Sequence, residues 1–107
     1  MANQLYAWPV TPTGAATQRV SGTSDVAIAE SNTRTSITFQ NLGTNEVYIR
    51  LDSTAPTQAN AHYVLAAPSS DQGGDGGFCS VDGVITAMKV GSGGVAYKLQ
   101  IVEYVKG

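Results

Sequence analysis

The sequence predicts an all-β domain: a single small antiparallel β-sandwich or jelly-roll-like barrel with an extended N-terminal arm. Three observations predict it. Apolar residues recur at every second position in several short runs, and side chains alternate faces along a strand, so this period marks half-buried strands. The runs are separated by Gly-, Asn- and Ser-containing turns at the spacing of sandwiches and barrels. No window keeps a helical period over the ~11 residues that would identify a helix.

The firmest element is residues 34–51, RTSITFQNLGTNEVYIRL. Ile37 and Phe39 share one side of a first strand, and Val47, Ile49 and Leu51 one side of a second. Glu46, Tyr48 and Arg50 form the outward row of that second strand. Between the runs lies Asn41-Leu42-Gly43-Thr44-Asn45, whose Asn and Gly residues accept turn geometry. The pattern predicts a hairpin.

Residues 1–16 form the arm and residues 17–107 the sandwich domain. Pro9 and Pro12 prevent a continuous helix and disfavour a central strand. Leu5, Tyr6, Trp8 and Val10 load the arm with apolar and aromatic surface, so it is expected to pack either on its own domain or on a neighbouring subunit. Strands are predicted over 17–21 and 25–30, the latter with Val26 and Ile28 on one side, followed by the 34–51 pair. Residues 52–61 read as a loop around Pro56, and 62–66 as a short strand. The Gly-rich stretch 68–77 is a loop, and 78–81 a strand closed by the Asp82-Gly83 turn. Residues 84–90 and 95–105 complete a set of about seven or eight strands. In the last, Val95, Tyr97, Leu99 and Ile101 make one apolar row. Val102 and Tyr104 make its far end apolar on the other face too, so something should cover it.

A chain of 107 residues suits one domain and typically buries roughly 65% of its unfolded surface. The single cysteine, Cys79, excludes an internal disulfide and suits a reducing cytoplasm. A net charge of -2 and a charged fraction of 13% argue against nucleic-acid binding, which needs clustered Lys and Arg. The N-terminus lacks the pattern of a secretory signal, and no run approaches the ~20 apolar residues of a membrane span. Synthesis in the cytoplasm, no nucleic acid and no membrane are the expectations.

Site chemistry is sparse. His62, the only histidine, has no Gly-x-Ser-x-Gly elbow to serve, and reads as a surface or half-buried strand residue. One His and one Cys do not make a zinc site. Cys79 reads as a small buried hydrophobe. The run Asp71-Gln72-Gly73-Gly74-Asp75-Gly76-Gly77 lacks the spaced acids of a calcium loop and the Lys-Ser/Thr of a phosphate loop. Carboxylates from different strands could still converge, but no pair is nominated. The expectation is a protein that is not an enzyme and has no cofactor and no metal.

The stretch Arg34-Thr35-Ser36-Ile37-Thr38-Phe39-Gln40-Asn41, then Gly43-Thr44-Asn45-Glu46-Val47-Tyr48-Ile49, resembles small structural proteins of tailed bacteriophages. Leu65-Ala66-Ala67-Pro68, Ala87-Met88-Lys89-Val90 and Ile101-Val102-Glu103-Tyr104 extend the resemblance over residues 17–105. The long 68–77 loop and the aromatic arm depart from the usual pattern. The resemblance implies a virion component on the capsid surface, of the decoration or cement type. Its partner would be the major capsid protein, and it would form a dimer or trimer. The arm residues Leu5, Tyr6, Trp8 and Val10 are the leading interface candidates, with Tyr48 and Arg50 second. A tail, neck or head-fibre module, and a carbohydrate- or receptor-binding sandwich, are the alternative expectations.

Overall fold

A computed structural model describes residues 16–68 and 76–106. The alternation of the sequence sets its architecture. In β3 (Arg34–Asn41) the side chains of Ile37 and Phe39 are fully buried, and in β4 (Val47–Arg50) those of Val47 and Ile49 are too. Burying each such side chain is worth roughly 1.5–3 kcal/mol. The other strands are β1 (Ala16–Gly22), β2 (Val26–Ile28), β5 (Tyr63–Leu65), β6 (Phe78–Asp82), β7 (Met88–Gly91) and β8 (Tyr97–Val105).

The eight strands make two antiparallel four-stranded sheets, ordered β1-β8-β3-β6 and β2-β7-β4-β5. One organising rule underlies this order. β1 pairs with β8, β2 with β7, β3 with β6 and β4 with β5, so the chain is folded once at its middle, in the 51–62 connection. The doubled chain is then rolled, which adds the β3–β8 and β4–β7 pairs. This is the jelly-roll, an all-β sandwich. Val20, Ile37, Phe39, Leu99 and Ile101 face Ile28, Val47, Ile49, Met88 and Val90 across the core.

The structure corrects the hairpin reading of residues 34–51. β3 and β4 lie in different sheets, and their connection is a corner that crosses the sandwich. Leu42 N–H donates to Lys98 O (2.9 Å), stitching the corner to the start of β8. Gly43 is needed there because a Cβ would lie 2.9 Å from the Lys98 nitrogen. The Asn-x-Gly signal was a genuine turn, with Asn41 Oδ1 accepting from Gly43 N–H (3.0 Å). It turns the chain into the other sheet instead of back along its own.

Three further expectations shift. The strand read over 84–90 is paired only at Met88–Gly91, although Val84 is buried. Val95, placed in the inward row of the last strand, sits in the preceding turn and is 48% exposed. The arm boundary also moves by one residue, since Ala16 already belongs to β1, opposite Glu103.

Two buried polar side chains hold the ends of the sandwich. At one end the Arg34 guanidinium, 1% exposed, bonds Glu103 Oε2 (2.8 Å), Thr86 O (3.0 Å) and Ala29 O (2.6 Å). At the other, Asn41 Nδ2 donates to Asn45 O, Leu65 O and Ala66 O. Nearby, Asn45 Nδ2 donates to Ala96 O (2.7 Å), and the hydroxyl of the buried Tyr97 donates to Ser24 O (2.7 Å).

Candidate interaction surface

Pairing register fixes which residues look outward, because directly opposed residues share a face. On the β2-β7-β4-β5 sheet one outward row is Val64, Tyr48 and Gly91, and the next is Arg50, Lys89 and Ala27. The outward placing of Tyr48 and Arg50 read from the sequence is therefore observed. Val64, 44% exposed, flanks Tyr48 on one side. On the other, Gly93 of the β7–β8 turn lies beside the ring, where a Cβ would make an ordinary 3.6 Å contact with Tyr48 Cε2.

The 51–62 connection supplies partners to this face. Tyr48 Oη donates to Glu46 Oε1 (3.3 Å), which also accepts from Gln58 Nε2 (3.2 Å). Burial, then the negative charge of Glu46, push the Tyr48 hydroxyl above its ordinary pKa, so it stays a protonated donor. Arg50 grips Asp52 with two nitrogens (3.0 and 2.5 Å) and Asn60 O with a third (2.5 Å). The Arg50 hydrogen bonds, helped by the Thr54 N–H, hold the Asp52 carboxyl well below the usual range. Arg50 is thus committed to its own loop and shapes the face as a positioning residue. His62 serves the same loop: it is exposed, and its Nδ1 accepts from Leu51 N–H (2.9 Å).

The outward face of the β1-β8-β3-β6 sheet is a different surface. Its middle row is Ser80, Thr38, Val102 and Thr17, small except for one valine. Phe78, Gln40, Gln100 and Arg19 form the row on one side, with Arg19 Nε donating to Gln100 Oε1 (3.1 Å). Asp82, Ser36 and Tyr104 form the other. Val102 and Tyr104 are half-buried, and Phe78 is 62% exposed, the most exposed large apolar residue described.

Phe78 was missed as a surface residue, though the sequence carried a signal. In Phe78-Cys79-Ser80-Val81-Asp82, Cys79 and Val81 occupy one parity and Phe78 shares the other with Ser80 and Asp82. Two polar residues out of three mark that parity as the wet one. Leu5, Tyr6, Trp8 and Val10 lie outside the described residues, as does most of the Gly-rich 68–77 stretch.

Cys79 sits on the inward side of β6, half-buried and unpaired in a disulfide. Burial pushes its thiol up to about 11. At pH 8 its thiolate fraction should be roughly two orders of magnitude below that of a free cysteine. Maleimide labelling at pH 8 is expected to be slowed by about that factor and to accelerate steadily toward pH 11. Labelling at the rate of a free thiol would refute the buried, protonated assignment. Among the described residues no three His, Cys, Asp or Glu side chains converge as metal ligands.

No protein-family model matches the chain, and neither curated proteins nor solved structures give a match.

Proposed function

We propose that this chain is a non-enzymatic structural protein of a phage virion, a decoration or cement protein that binds the outer capsid surface and bridges major capsid subunits. The observation that supports it best is the rolled eight-strand topology, an architecture used by viral capsid domains, in a chain whose strand and turn residues resemble small tailed-phage virion proteins. Fold alone does not carry function, so the weight falls on the surface. The described faces offer hydrogen-bonding groups, small side chains and a few exposed apolar ones. Such a surface suits close fitting to another protein, with affinity concentrated in a few aromatic anchors.

The arm supplies those anchors in this reading. Ala16 opens β1 opposite Glu103, at the edge of one sheet, so residues 1–15 join the sandwich at the end that Arg34 holds. Leu5, Tyr6, Trp8 and Val10 are the proposed contacts, and Tyr48 is a secondary one. Copies repeated on a capsid lattice would gain avidity from modest single contacts.

Co-sedimentation with tailed-phage capsids stripped of decoration protein tests the reading. The full chain is expected to bind. Removal of residues 1–15, which keeps the Ala16–Glu103 pair, should leave the β circular-dichroism spectrum intact and weaken binding by about 30-fold or more, the scale of losing one or two aromatic anchors. Undiminished binding by the truncated chain would remove the arm from the interface. Jelly-rolls also serve as lectins, so a full chain that ignores capsids but binds glycans would replace this reading with the carbohydrate-binding one.

A further inference from the structure

Each sheet has two edge strands, and three of the four are protected in ordinary ways. β2 and β5 are only three residues long, and β1 carries the charge of Arg19 in its middle. Short edges and edge charges are how native sheets avoid pairing with other chains. β6 is the exception. It runs for five residues with no charge before Asp82, its last, and it carries Phe78, 62% exposed.

The backbone of β6 is also set for pairing. Asn41 N–H donates to Gly77 O (2.8 Å), and Gly83 N–H donates to Thr35 O. Bonded pairs recur at every second residue between these limits, so Cys79 and Val81 turn their backbones to β3. Phe78, Ser80 and Asp82 turn theirs to the free edge, where no other described strand pairs with them.

We infer that the β6 edge is a homotypic interface, at which a second copy of this chain adds its own β6 antiparallel about a twofold axis at Ser80. The strand is self-complementary in that register. Ser80 faces Ser80, and Phe78 faces Asp82 of the second copy, so every outward backbone group finds a partner. Parity is kept, with Cys79 opposite Val81 of the second copy on the core side and the polar residues outside. The two Asp82 carboxylates fall four residues apart, about 13 Å along the strand, beyond the ~8 Å screening length at physiological salt. The result is one continuous sheet running through both sandwiches. This interface rests on the strand edge alone and stands or falls separately from capsid binding.

Sedimentation equilibrium of the full chain tests it. The wild type is expected to be a dimer. Ser80→Lys places two ammonium groups against each other and should raise the dissociation constant at least about tenfold, or 1.4 kcal/mol, with an unchanged circular-dichroism spectrum. Thr17→Lys, an equal change on the β1 edge, should leave the dimer intact. In Cys79→Ala/Ser80→Cys the one thiol lies on the axis. The opposed Cα atoms would be ~5.5 Å apart, within disulfide reach, so mild oxidation should give a covalent dimer. Cys79→Ala/Thr17→Cys should give none. A wild-type monomer, a trimer, a dimer indifferent to Ser80→Lys, or equal cross-linking at both positions would overturn the assignment.

Discussion

Replacing Arg34 with methionine is expected to destabilise the domain by about 3 kcal/mol, a loss of roughly 10–20 °C in Tm for a domain of this size. Arg34 has a long apolar stem, so methionine keeps much of its volume. What is lost is the guanidinium, which bonds three separate segments: Ala29 after β2, Thr86 before β7, and Glu103 in β8. Two carbonyls and a carboxylate are then left without their donor, and an unsatisfied buried group costs about 1–3 kcal/mol. The figure stays at the low end for a broken buried pair because Glu103 is 26% exposed and water can reach it. Arg34→Lys retains the charge but cannot span all three acceptors, so it should recover only part of the loss. Glu103→Gln keeps an acceptor and should cost about 1 kcal/mol. Urea unfolding of the three variants checks the ranking. An Arg34→Met variant within about 1 kcal/mol of wild type would show that the ring of partners does not hold this end of the sandwich.

Arg34 also shows where sequence reading stops. It opened the most informative stretch of the chain, yet its burial could not be read, because its three partners come from positions 5, 52 and 69 residues away. What was legible is what one strand determines alone. Ile37, Phe39, Val47, Ile49, Leu99 and Ile101 were read as inward and are at most 1% exposed. Tyr48 and Arg50 were read as outward, and the register places them so. Leu51, read into the same inward row, lies past the end of β4 and is only half-buried.

Pairing was not legible, because it belongs to two strands. Alternation in β3 and in β4 is the same whether they form a hairpin or sit in opposite sheets, and the second is the case. The committed state of Arg50 escaped for a similar reason. Its row was visible, but the loop that brings Asp52 and Asn60 to it has no period from which its path could be read. In a chain folded once and rolled, most connections cross between the sheets, and each crossing must satisfy its backbone groups at an end of the sandwich.

Asn41 is the crossing residue on which most depends. It is 2% exposed, its Nδ2 reaches Asn45 O (2.8 Å), Leu65 O (3.2 Å) and Ala66 O (3.2 Å), and its Oδ1 takes Gly43 N–H. It thereby ties the β3–β4 corner to the end of β5, where Gly77 N–H also donates to Ala66 O (2.7 Å). Asn41→Ala is expected to cost about 3 kcal/mol, because it removes the one amide group that serves the buried Leu65 carbonyl and the part-buried Asn45 and Ala66 carbonyls, together with the acceptor of Gly43 N–H. Asn41→Asp has nearly the same shape but presents an anion to those three carbonyls, so at neutral pH it should cost more than the alanine variant. The two variants separate further by pH. Carbonyl dipoles and burial would raise the folded pKa of the introduced carboxyl above its unfolded value of about 3.9. The folded state of N41D then binds more protons than the unfolded state, so its stability falls as pH rises from about 4 and recovers on acidification, when the protonated acid can donate again. Asn41→Ala introduces no such group, and its deficit relative to wild type should stay constant over the same range. Urea midpoints of the three proteins between about pH 4 and pH 8 measure this directly, and an N41D deficit that is flat with pH would mean that water reaches this corner and the three carbonyls do not depend on Asn41.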